Sequence, residues 1–330
     1  MRLSAANIFV VLLSTPTAMA NPLETVEYRG WGKVARIRNE TVELLVLTQV
    51  GPRVLFYGFA GGENQLHEFE EQVGLAGDGQ YHSYAGHRLW VSPEVERTYY
   101  PDNSSVQVMQ VRDGVRFIAP VENAPPGTGL QKEVEVRLAG EGTHLTLVHR
   151  ITNRGDAPTV MAPWALTVME AGGRAILPLP PRQAMSKQHL LPEGVIGIWS
   201  YTDLADTRWT LGTQYVQLTT EAAPGARFRE QMLGLYNPAG WAAYFRNGHL
   251  FVKRAAVERG GTYPDFGCNF ETYTEPGFLE LETLGPLRTL NRGETAEHIE
   301  HWWLFKDVPA GDSEAWIEQV VLPLVKTTSI

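Results

Sequence analysis

Strand-length apolar runs recur along nearly the whole chain, and helical periodicity is almost absent. Residues 42–47, 53–59, 106–111, 134–138, 145–151, 215–219, 250–253 and 298–305 are each rich in β-branched, aliphatic or aromatic side chains. Turn clusters divide them, among them Ala60-Gly61-Gly62, Asp113-Gly114, Ala139-Gly140-Glu141-Gly142 and Asn153-Arg154-Gly155-Asp156. Many short strands at such spacing predict an all-β sandwich. Residues 313–322 form the one helix-like stretch, with Ala315, Ile317, Val320 and Val321 marking one side. Strand patterns resume directly after the proline-rich stretches 123–129 and 178–181, so these read as connections within a domain. One large sandwich from residue 21 to 330 is the reading; two sandwiches joined near 178–192 is the alternative.

The stretch Tyr263-Pro-Asp-Phe-Gly-Cys-Asn-Phe-Glu-Thr-Tyr-Thr-Glu-Pro-Gly277, followed by 278–284, has the form of a hairpin punctuated by Pro276-Gly277. With those two residues as the turn, Glu271 pairs with Glu282, and Tyr273 with Glu280. A three-residue loop would shift the pairing by one. Side chains alternate along a strand, so Asn269, Glu271 and Tyr273 then share a face with Glu280 and Glu282. Like charges directly opposed in a sheet are destabilising. Three acids on one face therefore call for a basic partner, a cation, a shared proton or a hydroxyl-rich ligand, unless they simply coat a solvated face.

The start of the chain reads as a secretory leader: Arg2, an apolar core at 8–13, and Ala18-Met19-Ala20 before Asn21. The apolar run is too short to span a bilayer, and no cysteine follows the cleavage site to carry a lipid. The expected product is periplasmic or secreted, with no membrane insertion after cleavage. Removing residues 1–20 from the 330 leaves 310, and loss of Arg2 takes the formal charge from −9 to −10. That acidity argues against nucleic acid and anionic membrane surfaces as partners. The single cysteine, Cys268, has no partner within the chain and reads as a small buried residue.

Gly86-His87-Arg88-Leu89-Trp90-Val91-Ser92-Pro93-Glu94 gathers an imidazole, a guanidinium, an indole and a carboxylate. On a strand, His87, Leu89 and Val91 face one way and Arg88, Trp90 and Ser92 the other. An arginine beside an indole can grip hydroxyls while the ring covers an apolar sugar face. Trp164, just past Pro163, sits on extended chain and is a second candidate for lining a cleft. Nine tryptophans supply stacking platforms, though a large sandwich core also uses such residues. Glu297-His298-Ile299-Glu300-His301 lacks the spacing of a zinc helix, and on a strand His298 and His301 point to opposite faces. His149 shares a face with Leu145, Leu147 and Ile151 and reads as a hydrogen-bonded core histidine. No phosphate-cradling glycine loop, serine elbow or Cys/His metal spacing is present, so no cofactor or metal is expected.

Several segments together resemble the galactose mutarotase-like superfamily. Gln49-Val50-Gly51-Pro52-Arg53-Val54-Leu55 with Gly61-Gly62-Glu63-Asn64 is similar to its opening strand pair. Residues 147–156 resemble its mid-chain strand and turn, and 279–290 with Arg292-Gly293-Glu294 its final strands. Taken with GHRLW, APWAL and YPDFGCNFETYT, the likeness points to an exported bacterial branch of that superfamily. The resemblance implies a β-supersandwich whose concave face binds carbohydrate. It further implies that a Glu takes the anomeric proton while a His protonates the ring oxygen. Glu282 matches the family's glutamate best, with Glu271 a rival. The family's histidine has no counterpart, because Pro163-Trp164 stands after the mid-chain turn. The expected site is therefore Glu282, Glu271 and His87 for chemistry, with Arg88, Trp90, Glu94, Trp164, Asp265, Asn269, Tyr273 and Glu280 holding the sugar. The competing readings are a carbohydrate-binding protein without catalysis and a structural module of the cell envelope.

Overall fold

The computed structural model describes residues 23–220 and 229–330; the expected leader at 1–20 lies outside the described residues. The chain forms an all-β sandwich of two antiparallel sheets, with eleven and ten strands. The runs at Val42–Leu47, Arg53–Phe59, Tyr215–Thr219 and Phe278–Leu284 are strands with the boundaries the sequence predicts. The middle of the larger sheet sets five strands side by side: His87–Ser92, Thr159–Glu170, Phe278–Leu284, Phe270–Glu275 and Gln231–Leu235. Opposite lies the smaller sheet, with His249–Ala255, Thr295–Phe305 and Leu145–Asn153 adjacent in that order.

The sheets pack through one apolar layer. Leu89, Val91, Leu279 and Leu281 face it from the larger sheet, and Leu145, Leu147, Phe251 and Trp302 belong to the same buried cluster. Because side chains alternate, the residues between those of the larger sheet point away from this core, to the outer face. The hairpin has the predicted register: Glu271 pairs with Glu282 and Tyr273 with Glu280. Pro276-Gly277 links the strands in two residues, and Gly277 takes φ +113, a conformation that favours glycine.

One local reading changes. The helical segment runs on past 322 to Thr327, opened by the Ser313 side chain accepting from the Trp316 amide. Its buried side carries Trp316, Ile317, Val321 and Val325, while Ala315 is exposed. The large Trp316 ring rather than the small alanine seats against the smaller sheet, so the buried stripe is rotated. Pro163 and Trp164, read as extended chain beyond the mid-chain turn, lie inside the twelve-residue strand Thr159–Glu170. Pro163 falls where that strand's neighbour changes from Arg288–Leu290 to Phe278–Leu284, a break in pairing where a missing N–H costs least.

A carboxylate-lined cavity on the outer face of the larger sheet

On the outer face of the five central strands lies a cavity of about 430 Å³. Its floor is set by strand register. Arg88 lies opposite Leu166, which lies opposite Glu282, which lies opposite Glu271. Trp90 pairs with Trp164, and Tyr273 stands between Glu280 and Met232. Entry to the first of these strands depends on Gly86, at φ +53: a Cβ there would sit 1.8 Å from the Val54 carbonyl oxygen. The walls are loops. Tyr81 and Tyr99 pack on the Trp90 ring at 5.3 and 5.1 Å between centroids. They come from the loops on either side of His87–Ser92, and the buried Arg53 anchors both: its Nη1 and Nη2 donate to both oxygens of Asp102 at 2.9 and 2.7 Å, and its Nε donates to the Ser83 carbonyl at 3.3 Å. Across the cavity, Trp199 and Tyr201 pack on the same aromatic cluster. Their loop is held by the Thr202 hydroxyl, which donates to the Met232 carbonyl at 2.6 Å.

Arg88 is almost fully buried. Its Nη2 donates to Glu280 Oε1 at 3.0 Å, and its guanidinium lies 4.4 Å from the Trp90 ring centroid. The Glu280 carboxylate beside it outweighs burial and holds the guanidinium firmly protonated. Trp164 Nε1 donates to Glu282 Oε2 at 2.7 Å. Burial first, and then the Glu280 charge, push the Glu282 carboxyl well above the usual range, against the Trp164 bond and Arg88. Glu271, just behind, is fully buried with no donor at either oxygen, and burial followed by the Glu282 charge raises it likewise. The amino acid opposite Glu271 is Gly234, whose absent Cβ would fall 3.1 Å from Glu271 Cγ. A side chain there would crowd the acid out. Asp265 is raised by burial and then by Glu94.

Arg88, Trp90, Glu94, Trp164, Tyr273, Glu280 and Glu282 thus line one cavity. Glu271 and Asp265 lie behind it. Asn269 does not reach it: its amide is committed to the Asn237 backbone, accepting from N at 2.6 Å and donating to O at 3.1 Å. His87 is not there either. The alternation that brings Arg88 to the cavity sends His87 into the core between the sheets, and no bulge reverses it. Sequence reasoning also passed over Trp199, Tyr201 and Tyr99; the Trp199-Ser200-Tyr201 spacing in a turn-rich stretch is the one signal that marks two of them.

His87 joins a second polar cluster, sealed between the sheets. Its Nε2 lies 2.7 Å from His149 Nε2, and its Nδ1 lies 2.9 Å from the Thr167 hydroxyl. His149 Nδ1 is 3.0 Å from the His298 carbonyl and must donate to it, so His149 Nε2 accepts and His87 Nε2 donates. Glu300 accepts from Trp302 Nε1 at 2.9 Å and from the Thr283 hydroxyl, and pairs with Lys253 Nζ at 2.9 Å. Burial lowers all three imidazoles, His298 to about 3, while Lys253 holds Glu300 well below the usual range. His87, His149 and Glu300 present ligand atoms within 4.8 Å of one another, a grouping that suits a metal by size. Lys253 already neutralises the carboxylate, however, and every imidazole nitrogen of the pair has a hydrogen-bond role. The arrangement is complete as a neutral histidine pair beside a buried ion pair. His149 is the hydrogen-bonded core histidine its apolar neighbours suggested.

No family model matches the sequence, and no curated protein matches it. Solved structures do match in shape. An aldose 1-epimerase candidate from Klebsiella pneumoniae superposes with a TM-score of 0.58 at 13% identity, covering 92% of this chain and 87% of that one. A galactose mutarotase-like protein from Lactobacillus casei gives 0.53 at 12% identity, covering 82% and 100%. The fold is that of the galactose mutarotase-like proteins. A further aldose 1-epimerase candidate, from Escherichia coli, gives 0.52 at 14% identity, covering 83% and 99%. Likeness at such identities establishes the mutarotase-like fold alone.

Proposed function

We propose that this is an exported carbohydrate-binding protein whose cavity takes a free sugar, with anomer interconversion as its reaction. The observation that carries the reading is a set of buried donors without acceptors. Arg88 Nε and Nη1 and Trp90 Nε1 have no partner, although they belong to residues 3% and 6% exposed. Unmet buried donors are costly, on the order of 1–3 kcal/mol each. A hydroxyl-rich ligand would supply their acceptors, and the surrounding indoles would cover its apolar faces.

The neighbouring carboxylates support proton transfer. Mutarotation removes a proton from the anomeric hydroxyl, delivers one to the ring oxygen as the C1–O5 bond breaks, and reverses both after the aldehyde turns. With His87 behind the sheet, the two roles fall to Glu280 and Glu282, which face the cavity two residues apart on one strand. Glu280, ion-paired with Arg88, takes the anomeric proton. Glu282, kept protonated by burial and acidic neighbours, gives its proton to the ring oxygen. This reassigns Glu282 from the base expected of it to the acid. Glu282→Gln keeps the size and the Trp164 bond. It should leave sugar affinity within a few-fold and slow interconversion of a freshly dissolved aldose by a factor on the order of 10²–10⁴, read by polarimetry. Wild-type protein that binds an aldose yet interconverts it no faster than buffer would leave binding as the function and remove the reaction.

A further inference from the structure

The charge around the cavity is lopsided. Glu94, Glu230, Glu275 and Glu280 line it against one guanidinium, Arg88, which Glu280 already engages at 3.0 Å, while the protonated Glu282 adds no cation. Behind them, Glu271 and Asp265 bring no cation either; burial and then the neighbouring acids push both carboxyls upward. The same cavity presents the rings of Trp164, Trp199 and Tyr201, whose faces attract cations. A uronate or a sugar phosphate entering here meets repulsion from several carboxylates with no free cation among the described lining residues. A neutral sugar satisfies the orphaned Arg88 and Trp90 donors but leaves the negative field uncompensated. A bare metal ion does the reverse, since it offers Arg88 and Trp90 no acceptor. Among the described residues, moreover, no three of the cavity's carboxylates converge closely enough to share one ion.

From these observations, which rest on the sugar-site reading, we infer that the ligand is an amino sugar: hydroxyl oxygens for Arg88 and Trp90, and a free ammonium for the carboxylates and indoles. The test is calorimetric titration of the protein lacking residues 1–20, at about pH 6.5 and low salt, where exposed charges are least screened. The probes are glucosamine and galactosamine, glucose and galactose, N-acetylglucosamine, glucuronate and glucose 6-phosphate. The amino sugars should bind at least about tenfold more tightly than their parent sugars, a difference of about 1.4 kcal/mol. That advantage should vanish on N-acetylation, which removes the charge, and shrink as salt is raised. The two anionic sugars should bind most weakly. Equal binding of glucosamine and N-acetylglucosamine, or tighter binding of either anion, overturns the inference while leaving the sugar site standing. No binding by any class overturns both.

Discussion

Replacing Glu271 with glutamine should stabilise the protein, and only where the carboxyl would otherwise ionise. Glu271 is fully buried, has no donor at either oxygen, and lies directly opposite Glu282 in the hairpin. Burial, and then the charges of Glu282, Asp265 and Glu94, raise its pKa well above the ordinary value of 4.5. The folded state therefore holds a proton that the unfolded chain releases as pH rises past about 4.5. A raised carboxyl contributes its full stability below the unfolded pKa, and that contribution is lost as pH climbs through the folded one. Glutamine has the same shape, carries no charge, and can donate its amide hydrogens to Glu282. The gain at about pH 8 should be the cost of a buried unpaired polar group, about 1–3 kcal/mol. For a domain of this size that raises Tm by roughly 2–6 °C. Near pH 4.5, where both forms are neutral, the gain should shrink to almost nothing. Thermal melts of wild type and Glu271→Gln across this range decide the matter. A variant less stable than wild type at pH 8, or one with the same gain at both ends, would show that the Glu271 carboxyl is hydrogen-bonded in the folded protein.

The buried Lys253–Glu300 pair, 2.9 Å apart and sealed from solvent, makes a second prediction. Lys253→Met strands Glu300 and should cost about 3–5 kcal/mol in urea unfolding; Lys253→Met/Glu300→Gln, which removes both charges, should recover more than half of it. An additive double variant would refute the coupling. The histidines beneath the cavity predict acid lability. Burial lowers His87, His149 and His298, and a lowered imidazole gives stability that is lost as pH falls below the unfolded value near 6.5. For His298, held at about 3, the loss at about pH 5 is about 2 kcal/mol, with further losses from the other two. Unfolding midpoints that do not move between about pH 7 and 5 would show these rings are already hydrated.

What the sequence determined by itself was local and periodic. Alternation and a two-residue Pro-Gly turn fixed the hairpin, and with it Glu271 against Glu282 and Tyr273 against Glu280, because register follows from turn length and from the two-residue repeat. The same alternation already separated His87 from Arg88, and the structure keeps them apart on opposite faces of one strand. Which face would meet the core was not local. It depends on how the two sheets stack, and stacking is what puts His87 beside His149, 62 residues away, and sends Arg88 and Trp90 outward. The sequence also left open whether the acidic face was a solvated surface. The loops carrying Tyr81, Tyr99, Trp199 and Tyr201 decide that, by walling in the outer face on which Glu280 and Glu282 are buried. Burial raises the pKa values of Glu271 and Glu282 and leaves Glu271 without a hydrogen-bond partner, because desolvation depends on what covers a residue rather than on its neighbours in the chain.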